Sequence, residues 1–259
     1  MNKENQSKEI ITSDAENQCC TEETDCSAGI YKSGCMVCGA PLIYYWNNKE
    51  STCFYCGDVL KANAGCPVGH FVCDRCHSAD AIEIIKNVCM NIRQTNMVEL
   101  MQTIRSHPLF GIHGPEHHSM VPAVILVALK NSGYDISDDD INIAIERGKT
   151  VCGGSCAFLG ACGAAIGVGI AASVVLKADP YEGAKRQAVQ QATHRVLAVI
   201  ASYKAPRCCQ RDSWLALREA SAIMKEITGM SLEVDTFGCE QFSENKSCIY
   251  GQCPLWPSR

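Results

Sequence analysis

Between residues 35 and 76 the chain sets eight sulfur and imidazole side chains in four short pairs: Cys35-x2-Cys38, Cys53-x2-Cys56, Cys66-x3-His70 and Cys73-x2-Cys76. Two ligands this close on a tight turn can aim at one ion, and two such knuckles complete a tetrahedral zinc site. Four pairs therefore predict two zinc ions. Gly39 and Gly57 directly follow two of the second cysteines, where the turn wants a residue without a Cβ. The 14 residues between Cys38 and Cys53 fit a zinc ribbon closed by the first four cysteines, which leaves Cys66, His70, Cys73 and Cys76 to the second site. An interleaved pairing is the alternative, and His77 can replace His70. Four protein ligands leave a zinc ion no open position, so the module reads as a structural or adaptor element. Tyr44, Tyr45, Trp46, Phe54 and Tyr55 offer surfaces for base stacking, yet residues 30–80 balance four basic groups against four acidic ones. Without excess positive charge the phosphate-binding contribution is weak, and nucleic acid ranks second as a partner.

Cysteine supplies 19 of 259 residues, far more than packing asks of a soluble domain. Eleven lie in 19–89, three in 152–162 and five in 208–253. The first 29 residues carry two basic and seven acidic side chains, the remaining 230 carry 21 of each, and the whole net charge of -5 belongs to that stretch. It has neither the apolar core of a secretory signal nor the arginine-rich pattern of a transit peptide, so it reads as a flexible acidic tail on a cytoplasmic protein. In a reducing compartment spaced cysteines hold metal or do redox work, because structural disulfides are rare there. The uncharged run 156–176 is long enough to suggest a membrane span, but its many Ala and Gly residues favour a closely packed core helix. No membrane association is expected.

The periodicity predicts a mainly α fold, with six or seven helices behind a small zinc-ribbon or treble-clef-like module. The expected division is 1–29 tail, 30–79 zinc-binding module and 80–259 all-α cysteine-rich domain. Asp80 opens an amphipathic stretch, Asn96 with Glu99 marks a second helix to about Arg105, Ser119 can cap a third to Gly133, and Ser137 a fourth to about Gly148. After the Ala/Gly-rich helix, Asp179-Pro180-Tyr181-Glu182 combines an N-cap with Pro at the first helical position and starts a long helix to about Tyr203. Asp212 caps the last, whose Trp214, Leu217, Met224 and Ile227 share a stripe ending at Gly229.

Two further constellations carry chemistry. Four of the seven histidines lie in 107–118, and His113, Glu116, His117 and His118 are the candidates there for acid–base or ligand roles near a helix start. Capping by Glu116, with the histidines packed or facing water, is the plainer reading. Cys152, Cys156 and Cys162 follow in a glycine-rich turn before the small-residue helix, where exposed N–H groups favour thiolates. Their spacing is not the ferredoxin run. They are expected to hold an iron–sulfur cluster, of the 4Fe-4S type, with Cys208 or Cys209 as the fourth ligand. Cys239, Cys248 and Cys253 could furnish a second cluster, a redox pair or inert thiols, and Cys156 and Cys162 could serve only as small packing residues. Three protein ligands would leave one iron open for substrate or sulfide; four would favour electron transfer.

The run from Cys35 to His77, HGPEHH at 113–118 and CGGSCAFLGACGAAIGVGIAAS at 152–173, continued through Cys208-Cys209, resemble an uncharacterised family of cysteine-rich proteins from anaerobic archaea and bacteria, a domain of unknown function with an N-terminal zinc-ribbon-like module. Gly153-Gly154 and Cys162-Gly163-Ala164 are also similar to a redox family named for its Cys-GCAxxG-Cys-Cys motif, although the downstream cysteines depart from it. Some relatives look fused or adjacent to methyltransferase domains, but no S-adenosylmethionine motif is present here. These resemblances imply an all-α domain in an anaerobic setting. The leading expectation is an iron–sulfur enzyme with redox, sulfur-transfer or methyl-related chemistry, two structural zinc ions, and a small-molecule substrate or a redox partner protein; a homo-oligomer is compatible. Its competitors are a zinc-ribbon adaptor for nucleic acid or a partner enzyme, and a dithiol redox protein without iron.

Overall fold

A computed structural model describes residues 35–40, 42–73, 76 and 80–257. The stretch 1–29, His77 and the side chains of Tyr44 and Trp46 lie outside that description. An antiparallel hairpin comes first: β1 (Ile43–Thr52) pairs with β2 (Val59–Gly65), Ile43 opposite Gly65 and Thr52 opposite Val59, with an irregularity in register between Tyr44 and Lys49. The Cys53–Cys56 knuckle is the turn of this hairpin. Cys35 and Cys38 precede β1, while Cys66 and His70 follow β2. Gly39 and Gly57 close their knuckles at φ 74° and 72°, the left-handed backbone in which a Cβ is unwelcome.

Eight helices follow among the described residues: α1 (Ala81–Asn91), α2 (Met97–Arg105), α3 (Glu116–Asn131), α4 (Asp138–Lys149), α5 (Ser155–Phe158), α6 (Gly163–Leu176), α7 (Gly183–Ala201) and α8 (Cys209–Thr228). The fold is therefore mainly helical, with a small metal module in front. Asp80, Asn96 and Ser137 cap α1, α2 and α4 through side-chain oxygens, and Ser137 with Asp140 completes a reciprocal capping box. Three expected starts move. α3 begins at Glu116, three residues before Ser119, because Pro115 supplies a helical φ of −69° and Glu116 favours the positive helix end. Ser119 instead donates to the Ile145 carbonyl inside the core. Asp179 accepts N–H bonds from Tyr181 and Glu182 in a turn, and α7 starts only at Gly183. α8 starts at Cys209, ahead of Asp212, whose carboxylate is taken by Arg211.

α3 is the central rod, and every residue from Ser119 to Leu129 is buried. α4, α6 and α8 pack on it, α7 lies on α6 and α8, and α1 and α2 meet α3 from another side. The uncharged run is broken at Gly160 and buried as α6, and no helix of the described residues is long and apolar enough to cross a membrane. Beyond α8 the chain is irregular save one 3-10 turn at Tyr250–Gln252. This strap is tied down by Trp214 Nε1–H to the Asp235 carbonyl at 2.9 Å, Met97 N–H to Glu233 at 3.0 Å and Cys239 N–H to Leu255 at 2.7 Å. Those bonds satisfy backbone groups that no helix or sheet serves. Cys53, Cys56, Cys73 and Cys76 belong to the same apolar core as α1–α4, so the metal module is seated on the helices.

Candidate metal centres

The eight ligands of the first module gather into two groups, Cys35, Cys38, Cys66 and His70, and Cys53, Cys56, Cys73 and Cys76, each with its ligand atoms within 4.8 Å of one another. Each group can hold a metal ion. Cys38 Sγ lies 3.5 Å from Cys66 Sγ, Cys56 Sγ 3.7 Å from Cys73 Sγ, and Cys35 Sγ 3.8 Å from His70 Nδ1. Sulfurs bound to one tetrahedral zinc are about 3.8 Å apart, so these separations suit a single ion. The pairing is interleaved, which corrects the expected closure by the first four cysteines. The reason is the ten-residue strand β1, which spans about 33 Å and puts the first two knuckles at opposite ends of the hairpin. Residues flanking the hairpin meet at its open end, while Cys73 and Cys76 reach its turn.

Backbone N–H groups already point at these sulfurs. Ala40 donates to Cys38, Asp58 to Cys56, Val68 to Cys66 at 3.4 Å and Cys73 to Cys53 at 3.4 Å. Burial works against the Cys66 thiolate, but Val68 N–H and the neighbouring ligands outweigh it and bring the thiol down to about 6. In the other group burial pushes Cys56 up to about 11, whereas at Cys53 burial is outweighed by backbone N–H bonds, which hold its thiol below the ordinary value. That second group is fixed to the helices: His107 Nε2 meets the Cys76 carbonyl at 2.8 Å, and the Tyr55 and His107 rings meet edge to face at 4.6 Å.

A third sulfur group was only partly legible. Cys208, Cys239, Cys248 and Cys253 line one cavity with Gln210 and Arg211. Each sulfur accepts a backbone N–H: from Arg211 to Cys208, Gln241 to Cys239, Tyr250 to Cys248 at 3.3 Å and Leu255 to Cys253. Three of the four donors sit two residues beyond the cysteine, the local pattern already seen at Cys38, Cys56 and Cys66. Gln210 Nε2 adds a bond to Cys239 Sγ at 3.2 Å. Burial pushes Cys208 up to about 11, opposed by the Arg211 N–H and guanidinium. No three of these sulfurs lie within 4.8 Å of one another, and the cavity that they line is small, about 20 Å³.

The other expected ligands fall elsewhere. Cys162 occupies the N-cap position of α6, accepts N–H bonds from Ala164 and Ala165, and is pushed up to about 11 by burial and by Asp212. Cys152 and Cys156 are exposed, and Cys209 accepts the Gly114 N–H. The two sets share a charged neighbour in the first turn of α8: Asp212, paired with Arg211 at 2.9 Å, acts electrostatically on Cys162 and on Cys208, Cys209 and Cys253. Glu116, His117 and His118 form the first turn of α3 rather than a loop. His117 is buried between the Arg105 guanidinium and the Gly114 carbonyl, and burial brings it down to about 4, so it is neutral. His118 Nδ1 meets the Val151 carbonyl at 2.9 Å, and its ring lies over Gly163, where a Cβ would come within 2.0 Å of Cδ2. His113 Nε2 meets Asn245 Oδ1 at 3.3 Å, while its buried Nδ1 has no hydrogen-bond partner among the described residues.

Sequence reasoning missed Arg105, Gln210, Arg211, Asn245 and Gln241. For Arg211-Asp212 a signal existed, a charged pair directly after two cysteines. Arg105 gave none, since it ends a helix about a hundred residues before the thiols it approaches.

No curated protein and no solved structure matches the chain. A family of unknown function (DUF5714) matches residues 85–256, which takes in α3 with its histidines, the 152–162 cysteines and the four-thiol group but not the eight ligands of the hairpin module. The chain belongs to that family.

Proposed function

We propose that the protein is an iron–sulfur redox protein whose cluster is carried by Cys208, Cys239, Cys248 and Cys253, with two zinc ions stabilising the hairpin module. The observation that carries this reading is that four cysteines, each given a backbone N–H, line one small cavity of about 20 Å³ without gathering as tightly as the ligand groups of the hairpin. The same chain draws Cys53, Cys56, Cys73 and Cys76 together where one ion suffices. Arg211 and Arg105 stand near these sulfurs and offset negative charge that thiolate ligands concentrate. N–H bonds to the sulfurs and a buried surround stabilise the reduced or oxidised form to different degrees and so set a potential. When bound, a cluster held by four cysteines supplies one-electron transfer. Cys248 and Cys253 are half-buried, which leaves the centre near the surface for an electron donor or acceptor. Sulfur-transfer and methyl-related chemistry would require an open iron and fit four thiols less well.

The test is iron, zinc and acid-labile sulfide content after strictly anaerobic purification. About four iron and four sulfide with about two zinc per chain are expected. Cys248→Ser should lose the iron and keep the zinc, and Cys162→Ala should keep both. Iron retained in Cys248→Ser, or lost in Cys162→Ala, would return the cluster to the 152–162 cysteines; zinc alone, after failed reconstitution, would reject the iron reading.

A further inference from the structure

A cleft of about 410 Å³ opens between the first knuckle of the metal module and the end of α2, within the size range of small-molecule sites. Met36, Val37, Met101, Phe110 and Phe237 give it apolar walls, and Arg105 is its cation. The guanidinium has two hydrogen-bond partners, His117 Nε2 and Gln241 Oε1, and both are neutral groups. Because Gln241 turns its oxygen to Arg105, its Nε2 is the free end of the amide, and this buried donor has no partner among the described residues. The Gln241 donor thus stands unmatched beside a guanidinium that is hydrogen-bonded only to neutral acceptors and feels the Glu116 carboxylate electrostatically. Glu240 and Glu244 are exposed at the rim and repel highly charged anions. Gln210 lines both this cleft and the four-thiol cavity and donates to Cys239 Sγ, so this side chain borders both spaces.

We propose that this cleft binds a small organic carboxylate, its charge met by Arg105 and the Gln241 amide and its carbon body by the apolar wall, and that the bound acid perturbs the four-thiol centre across Gln210. The binding half stands without a cluster; the coupling half rests on the iron–sulfur reading. A planar guanidinium with an adjacent amide donor suits a carboxylate, and a single negative charge passes the acidic rim at least cost.

Butyrate and inorganic phosphate are the probes, titrated by calorimetry or ligand-observed NMR into the full chain as purified anaerobically and into the same chain loaded with zinc only. Saturable binding of butyrate to both forms is expected, with phosphate weaker. Arg105→Gln should weaken butyrate by about tenfold or more, the worth of one charge-assisted hydrogen bond. Since Arg105 also supports His117, Gln241→Leu serves as a second variant, and unchanged zinc content and circular dichroism verify the fold of each. In the iron-loaded chain butyrate should shift the visible spectrum or midpoint potential. No butyrate binding, binding indifferent to both variants, or phosphate bound more tightly would overturn the site. Binding with an unmoved spectrum in an iron-loaded chain would overturn only the coupling, and a chain without iron that still binds butyrate would remove the redox reading while supporting the cleft.

Discussion

At the scale of single residues the α8 start shows how the sulfur sites are paid for. Arg211 and Asp212 are 4% and 9% exposed, and their mutual bond, with Arg211 to the Pro206 carbonyl at 3.1 Å, is what makes two buried charges tolerable. Asp212→Ala should therefore cost about 3–5 kcal/mol in urea unfolding, because it strands the guanidinium rather than removing a pair. His117 makes a second prediction, through pH. Its folded pKa of about 4 lies below the unfolded value near 6.5, so its contribution is complete above pH 6.5 and is lost as pH falls toward 4. Wild type and His117→Gln should differ by about 2–3 kcal/mol less at pH 4.5 than at pH 7; a gap independent of pH would mean the imidazole is not held neutral.

Elements were legible where local chemistry decides them and illegible where distant contacts do. Asp80, Asn96 and Ser137 cap helices because nothing else competes for their oxygens. Asp212 and Ser119 carry the same local signal, but a guanidinium and a remote carbonyl claim them first. The small-residue helix after the 152–162 cysteines was readable in the sequence, but neither its start at Gly163 nor the His118 ring over that residue was. Gly163→Ala should push that ring off the Val151 carbonyl and cost about 1–3 kcal/mol, read as a lowered Tm. The C-terminal strap shows the other limit: its cysteines were visible as candidates, but their grouping depends on bonds to α2 and α8 that no periodicity records.

For the whole molecule the two ligand groups of the hairpin differ in what they support. Cys38 is exposed, whereas Cys53, Cys56, Cys73 and Cys76 are all buried within the common core. A zinc-loaded chain challenged with a chelator should release the ion of Cys35, Cys38, Cys66 and His70 first, with little change in helical circular dichroism. Release of the second should lower the Tm of the helical part; simultaneous release would show the two groups to be one cooperative unit. Eight ligands were countable in the sequence, but their partition was not, since order along the chain does not reveal which end of a hairpin a knuckle occupies. That partition has a consequence during synthesis. With the first knuckle waiting for Cys66 and His70, and the second for Cys73 and Cys76, a nascent chain ending near residue 60 can close neither ion. Its four ligand thiols leave the ribosome unmetallated and open to oxidation until the last knuckle emerges, so the hairpin is sensitive to the metal supply and redox state around the translating ribosome.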